Sequence, residues 1–548
     1  MIGQVLLVLA LLPGWAVFGC GEPRRTVPPG ASAPLFSDLG DHHLTITTRE
    51  PLAQRYFDQG LILAYGFNHA EAVRSFREAQ RLDPSCSACF WGEAYALGPN
   101  INRAMRAENA APAWSALESA LGAMGGATQL ERSLIDALAK RHVREPSDDR
   151  APLDRAYAAA MREVAKSHPD HPDVLALFGE ALLDTMPWDY YTGDGSPKPE
   201  TAEAVAALER ALERAPRHPG ALHFLIHAVE AHAPERAEAA ADRLRGLVPG
   251  AGHLVHMPSH IYLRVGRYHD ASVVNEEAAA ADESYITQCR AQGFYPSNYY
   301  PHNVDFLQAS ATYEGRSQLA LDAARKLQRM TPPEAVGEFP NIEEFMPRSL
   351  FARVRFGRFG QVLAEPEPAA GLPYLKGAWH YARGIALAAT GRYDEAEREL
   401  AALDESRRAW DGVDRVFLSG STPAQLLAIA GRVLAARIAS ERGAWEDALV
   451  ALHQAVALQD ALPYSEPPAW YFPVRDALGQ ALLDAGRPAQ AEAVFREQLS
   501  HTPGSGWSLY GFAESLRAQG RADEAREVTA RFADAWRRAD VSLERAVF

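Results

Sequence analysis

"GLILAYGFNHAEAVRSFREAQRLDP", residues 60–84, decides the fold. Small residues stand at Gly60, Ala72 and Ala79, a large aromatic at Phe76, and a proline at Pro84. Small side chains at these spacings let two antiparallel helices approach closely, and Phe76 fills the space left between them. Pro84 stops the second helix, because its ring removes a backbone donor and clashes with the preceding turn. The same arrangement recurs down the chain: Ala204, Leu208, Ala211 and Pro216; Gly266, Tyr268, Ala271 and Ala278; Gly315, Ala320 and Pro332; Gly384, Leu387, Gly391, Tyr393 and Ala396; Gly479, Leu482, Gly486, Ala491, Phe495 and Pro503; Gly511, Gly520 and Ala525. One such match is weak in an alanine-rich helix, but seven in one chain define a repeat. Strand-like alternation persists nowhere.

These positions resemble those of the tetratricopeptide repeat, a helix pair of about 34 residues. The resemblance implies an all-α, right-handed superhelical solenoid with loop insertions. The chain of 548 residues exceeds one ordinary domain, as a repeat array would. The expected organisation is a signal at 1–20, a linker or docking segment at 21–47, one array at 48–332 and a second at 333–548. Residues 98–126, 183–200, 283–300 and 333–347 depart from the repeat and read as insertions. Inserted loops gather on one face of a solenoid, often the binding face. Trp188, Asp189, Tyr190, Tyr191, Tyr295, Tyr299 and Tyr300 are therefore expected to roof a groove or to pack their own loops.

Histidine is concentrated within this frame. Nine of the 18 histidines lie between residues 218 and 302. Pro216 and Pro249 close two successive repeats. The pair His223/His227 in one repeat then matches the pair His256/His260 in the next. Residues i and i+4 share a helix face. By resemblance to tetratricopeptide proteins, that helix lines the concave groove. Four imidazoles are expected as a two-by-two array, with Glu230, His253 and His302 beside it. Imidazole is the commonest ligand of Zn, Cu and Fe. The array therefore predicts a transition-metal site: four histidines, or three completed by Glu230 or His302. Glu230, Asp189 or Asp305 would act as general base or orient an imidazole. The competing reading is a polar groove holding a peptide or partner protein. Peptide-clamping grooves of this family use Lys, Arg and Asn at comparable positions, whereas neutral imidazole holds a carboxylate poorly.

The N-terminus follows other rules. "VLLVLALLPGWAVFGC", residues 5–20, is an apolar run of signal-peptide length. Ending in Val17-Phe18-Gly19-Cys20, it resembles a bacterial lipoprotein signal whose cysteine is lipidated. Gly21 is not the aspartate that marks retention at the inner membrane, so the outer membrane or the cell surface is expected; plain secretion and a retained anchor are the alternatives. No Lys or Arg precedes the run, and Phe18 is bulky for its place. Export would put Cys86, Cys89 and Cys289 in an oxidising compartment. Cys86-Ser-Ala-Cys89 then reads as a local disulfide, free thiols or half of a metal site; Phe90 stands where a c-type haem motif needs histidine. A net charge of −15 argues against nucleic acid, which needs a basic face. No phosphate-binding glycine loop or G-x-S-x-G elbow is present.

"YFDQGLILAYGFNHAEAVRSF", "CFWGEAYALGPNIN", "HMPSHIYLRVGRY" and "EPPAWYFPVRDALG" are similar to a group of large exported bacterial tetratricopeptide proteins. That resemblance implies fold and location and no particular reaction.

Overall fold

The protein is described here from a computed structural model, which covers residues 25–26, 28, 30–31, 33–289 and 294–547. The apolar run and Cys20 lie outside these residues. Helices pair antiparallel along the chain: Pro51–Tyr65 with His69–Leu82, Pro373–Ala389 with Tyr393–Arg408, Pro423–Glu441 with Trp445–Asp460, and Val474–Asp484 with Pro488–His501. Proline opens many of them, where its missing N–H would have no helical partner anyway. Turns between partners use a left-handed residue, such as Gly391 (φ 77°) and Gly486 (φ 72°), a conformation glycine adopts without strain. Among the described residues the only strands are two of two residues each, Arg25–Thr26 and Leu35–Phe36. The molecule is thus an all-α solenoid of the tetratricopeptide type.

Phe76 is the wedge that the opening stretch implied. It is fully buried between Gly60 and Gly92, where an added Cβ would come within 2.8 and 2.3 Å of its ring. Phe495 repeats the device near the other end, between Gly479 and Gly511. Two large cores result, one running from Ala33 to Tyr299 and the other from Leu350 to Ala546. Residues 33–46 lie across the first array. Tyr56 donates to the Ala33 carbonyl at 2.9 Å, and the Gln59 amide bonds both the Phe36 N–H and the Pro34 carbonyl.

One expectation changes. The 98–126 stretch is not a plain insertion, because it contains the helix Ala110–Gly122, which packs on Ser87–Ala96. The array curls tightly, a curvature that the repeat spacing leaves open. The Trp507 indole donates to the Thr312 carbonyl at 2.9 Å, and Asp540 accepts from the backbone N–H of Ser317 and Gln318. Repeats far apart in sequence therefore meet, and the second array reaches the cavity beside the histidine-bearing helices of the first.

Candidate metal centre

The helix Pro219–Val229 is buried on every side, so it belongs to a core and not to a surface. His218 caps it by accepting from the Ala221 N–H. His223 and His227 are 0% and 2% exposed. A buried polar group is destabilising unless it is hydrogen-bonded, so the partners of each ring decide its protonation. The His223 Nδ1 lies 2.6 Å from the Tyr65 carbonyl. A carbonyl only accepts, so Nδ1 carries the proton and Nε2 is bare. The His227 Nδ1 lies 3.1 Å from a Glu230 oxygen, which fixes the same tautomer. Neither Nε2 has a hydrogen-bond partner.

The second pair sits one repeat on, in a broken helix. Gly252–His256 and Pro258–Arg264 are separate segments joined at Met257, because Pro258 has no N–H to continue the first. The His256 Nδ1 lies 2.7 Å from the Asn275 Oδ1. The Asn275 amide nitrogen is committed to the Ala271 carbonyl, so its oxygen must face the ring. The His260 Nδ1 contacts the other Glu230 oxygen, off the line of an ideal hydrogen bond. Contact that close between a carboxylate and a ring nitrogen requires the proton on Nδ1. The His256 Nε2 and His260 Nε2 are 2.9 Å apart, a spacing that needs either a proton on one of the two nitrogens or a cation between them.

His253 and His302 complete the cluster, but not as one array. His223, His227 and His253 form one set, and His256, His260 and His302 another, with ligand atoms in each set within 4.8 Å of one another. The expected four-histidine site is thus replaced by two three-histidine sets. The break at Met257–Pro258 turns the second pair toward His302, whose ring lies 5.0 Å from His256. Neither ring nitrogen of His253 has a hydrogen-bond partner. Phe67 backs the first set, its ring centroid 4.6 Å from His223 and 5.4 Å from His253.

Electrostatics favour the ligand form of these rings. Burial pushes His223, His253 and His256 well below the ordinary imidazole range, and neighbouring imidazoles push them further. Burial lowers His227 too, against the pull of Glu230. His302 falls to about 3, by burial and then by His260. Burial works to raise Glu230, but His260 and His227 prevail and hold it at about 2. Glu230 is fully buried and bridges the two sets, orienting rings as a carboxylate behind a metal-bound histidine does.

The rings open on a cavity of about 450 Å³, lined by His227, His253, His260 and His302. Trp188, Tyr190 and Tyr191 of the 183–200 insertion form one side, and Tyr464 and Glu466 of the second array form another. Tyr299 also lines it, whereas Tyr295 and Tyr300 do not: Tyr295 bonds Asp282 and the His253 N–H, and Tyr300 bonds Glu283. Asp189 is a correction. Its side chain is 71% exposed and pairs with Lys198, so it takes no part in the cavity. Asp305 lines the cavity but is committed to Arg348 at 3.0 Å.

A third group, His42, Asp173 and His218, is close-set but chemically different. The His218 Nδ1 accepts from Ala221, so its Nε2 donates to Asp173 at 3.1 Å. Asp173 also receives His42 and the Tyr65 hydroxyl. Burial opposes its ionisation, yet His218 and His42 hold it well below the carboxylate range. This network satisfies itself.

Cys86 and Cys89 are joined by a disulfide across the start of Ser87–Ala96, away from the cavity lining. Sequence reasoning missed Tyr65, Phe67, Asn275, Arg348 and Glu466. A backbone carbonyl has no sequence signature, and the last two act only through the curl of the array.

One family model matches part of the chain. Residues 482–535 match the tetratricopeptide-repeat family model. No curated protein matches the chain. Similar solved structures include the human IFIT1 dimer with m7Gppp-AAAA, 13% identical over 90% of this chain and 92% of that one, with a TM-score of 0.31. Yeast Tom70 is 13% identical over 88% and 90%, with a TM-score of 0.26. Rap protein complexed with competence and sporulation factor is 13% identical over 83% and 98%, with a TM-score of 0.33. The helix pairs, the glycine-flanked wedges and the match over 482–535 together identify a tetratricopeptide-repeat solenoid.

Proposed function

We propose that this solenoid is a metalloprotein, with a histidine-ligated transition-metal centre in its inner cavity and a small ligand as its target. The observation that carries the reading is the 2.9 Å separation of the His256 and His260 Nε2 atoms. Two lone pairs face to face repel unless a cation lies between them. Metal–nitrogen bonds of about 2.0–2.1 Å bring two such atoms to this spacing at a bite of about 90°. The competing account is a hydrogen bond from an imidazolium at His260, paired with Glu230, to the His256 Nε2; metal content separates the two. The orphaned Nε2 atoms of His223 and His227 support the same reading, with Zn, Cu and Fe as the metals that favour imidazole. The cavity volume suits a small molecule.

The test is elemental mass spectrometry on the full chain, purified without a histidine tag, beside a His223→Ala/His256→Ala variant. Bound transition metal that the variant loses is the expected result. Metal-free protein that takes up none of the three ions overturns the proposal.

A scaffold role, with a peptide or partner protein in the groove, rests on a different observation. Trp188 and Leu418 at the cavity are 47% and 45% exposed, an apolar rim. Capture of a peptide that survives chelator and is lost on Trp188→Ala would favour it. Lipidation of Cys20 at an outer membrane or cell surface belongs to the proposal as well. Cys20→Ser abolishing fatty-acid labelling tests it.

A further inference from the structure

We infer that the cavity holds two copper ions, one on His223, His227 and His253 and one on His256, His260 and His302, and that dioxygen binds between them. This rests on the metal-centre reading and goes beyond it in the number of ions, their identity and the ligand.

The two sets are built alike. Each takes an i, i+4 pair from one repeat and a third histidine from the start of the first helix of the next repeat: His253 for the first, His302 for the second. They lie side by side. His227 and His260 have ring centroids 6.0 Å apart, and His253 and His256 5.9 Å. Glu230 touches one ring of each set. One ion would leave three oriented imidazoles with nothing to hold. Two ions occupy both sets, and each three-nitrogen set keeps an open position. His227, His253, His260 and His302 reach the same cavity, so both open positions face one space, where a diatomic ligand can bridge.

Charge selects the metal. The donors are neutral nitrogens, a poor match to Mg, Ca or Mn, which take oxygen. Two divalent ions would bring four positive charges into a buried site. Glu230 offsets one, while Asp305 and Glu466 face Arg348 and Arg264. Uncompensated buried charge is strongly unfavourable. Two Cu(I) ions bring only two charges, and neutral imidazoles suit them. Dioxygen binding then preserves the balance. Each Cu(I) gives one electron to O2, which becomes peroxide, and two Cu(II) with one peroxide carry the same net charge of plus two. No proton is required, and loss of O2 returns both electrons to the copper ions.

The experiment uses the full chain, stripped of metal and reloaded with Cu(I) without oxygen. Two copper ions per chain are expected. Exposure to O2 should produce a peroxide-to-copper charge-transfer band with no paramagnetic copper signal, because the paired Cu(II) spins couple. His302→Ala, which leaves the first set whole, should hold about half the copper and give a single-ion paramagnetic signal in air. Thermal melting of the metal-free variant controls for misfolding. One ion per wild-type chain, or a full paramagnetic signal after O2, overturns the pair and leaves the single-metal proposal standing. Two zinc ions bound with no copper uptake overturn copper and dioxygen alone. No uptake of any metal overturns both.

Discussion

At the scale of single residues, the proposed centre depends on which ring nitrogen holds the proton. The Tyr65 carbonyl, Glu230 and Asn275 each fix an Nδ1–H and so free an Nε2. Glu230→Gln keeps the size but replaces an ionised acceptor with an amide. Metal affinity should fall about 10–100-fold, measured by competition with a chelator, with little change in metal-free stability. Unchanged affinity would mean that Glu230 does not orient His227 and His260. The histidines themselves were legible in the sequence, because their spacing repeats from one helix pair to the next. Their division into two sets was not, since it follows from a helix break at Met257–Pro258 whose angle the sequence does not state. Asp189 went astray because a loop residue has no period to fix its direction.

A residue outside the cluster contributes to the acid sensitivity of the fold. His142 is 2% exposed, and burial, then Arg141, lowers it from 6.5 to about 3. The sign follows from proton binding. Above pH 6.5 the ring is neutral in both states and contributes nothing. Below it the unfolded chain takes a proton that the fold refuses, so stability is lost as pH falls toward 3. The loss should reach about 2 kcal/mol between pH 6.5 and pH 5. His142→Leu should remove that part of the pH dependence. Urea midpoints at the two pH values check it, and equal slopes in both proteins would contradict it.

At the scale of elements, the fold was readable because one device recurs. An aromatic wedge seated between two glycines fixes the distance between successive helices at Phe76 and again at Phe495. Phe76→Ala should cost about 3–5 kcal/mol by leaving a cavity. Gly511→Ala should cost about 1–3 kcal/mol by overpacking, because its Cβ would stand 2.2 Å from the Phe495 ring. Denaturant unfolding followed by circular dichroism measures both. The positions differ in consequence. Phe76 belongs to the helix pair that carries the Tyr65 carbonyl, so its loss should also loosen metal. Phe495 lies in the second array, and Gly511→Ala should leave metal content unchanged. Similar metal loss in both would show that the arrays do not behave as separable packing units. The helix at Ala110–Gly122 was hidden from this pattern because Pro112 and Trp114 stand off the spacing of the repeat, so nothing marked it as one.

At the scale of the molecule, the cavity exists because the array curls. Curvature is the sum of small rotations at every helix contact, and no single residue in the sequence encodes it, which is why Arg348 and Glu466 were not foreseen. The closure has a point where it can be tested. Gly266 has φ +83°, and an added Cβ would lie 2.1 Å from the Pro503 carbonyl of the second array. That is rigid backbone, so Gly266→Ala cannot be absorbed by a rotamer change; it must strain its own turn and push the arrays apart. Gly266 is not a cavity-lining residue, so the rings should keep their sets while the wall carrying Tyr464 and Glu466 lifts. The expected result is faster amide exchange at Tyr464, Ser465 and Glu466 and faster loss of bound metal to a chelator, with metal content at equilibrium little changed. If exchange at these residues matches that of the unaltered protein, the second array does not govern access to the cavity. If metal fails to load at all, the closure holds the ligands in place as well as covering them.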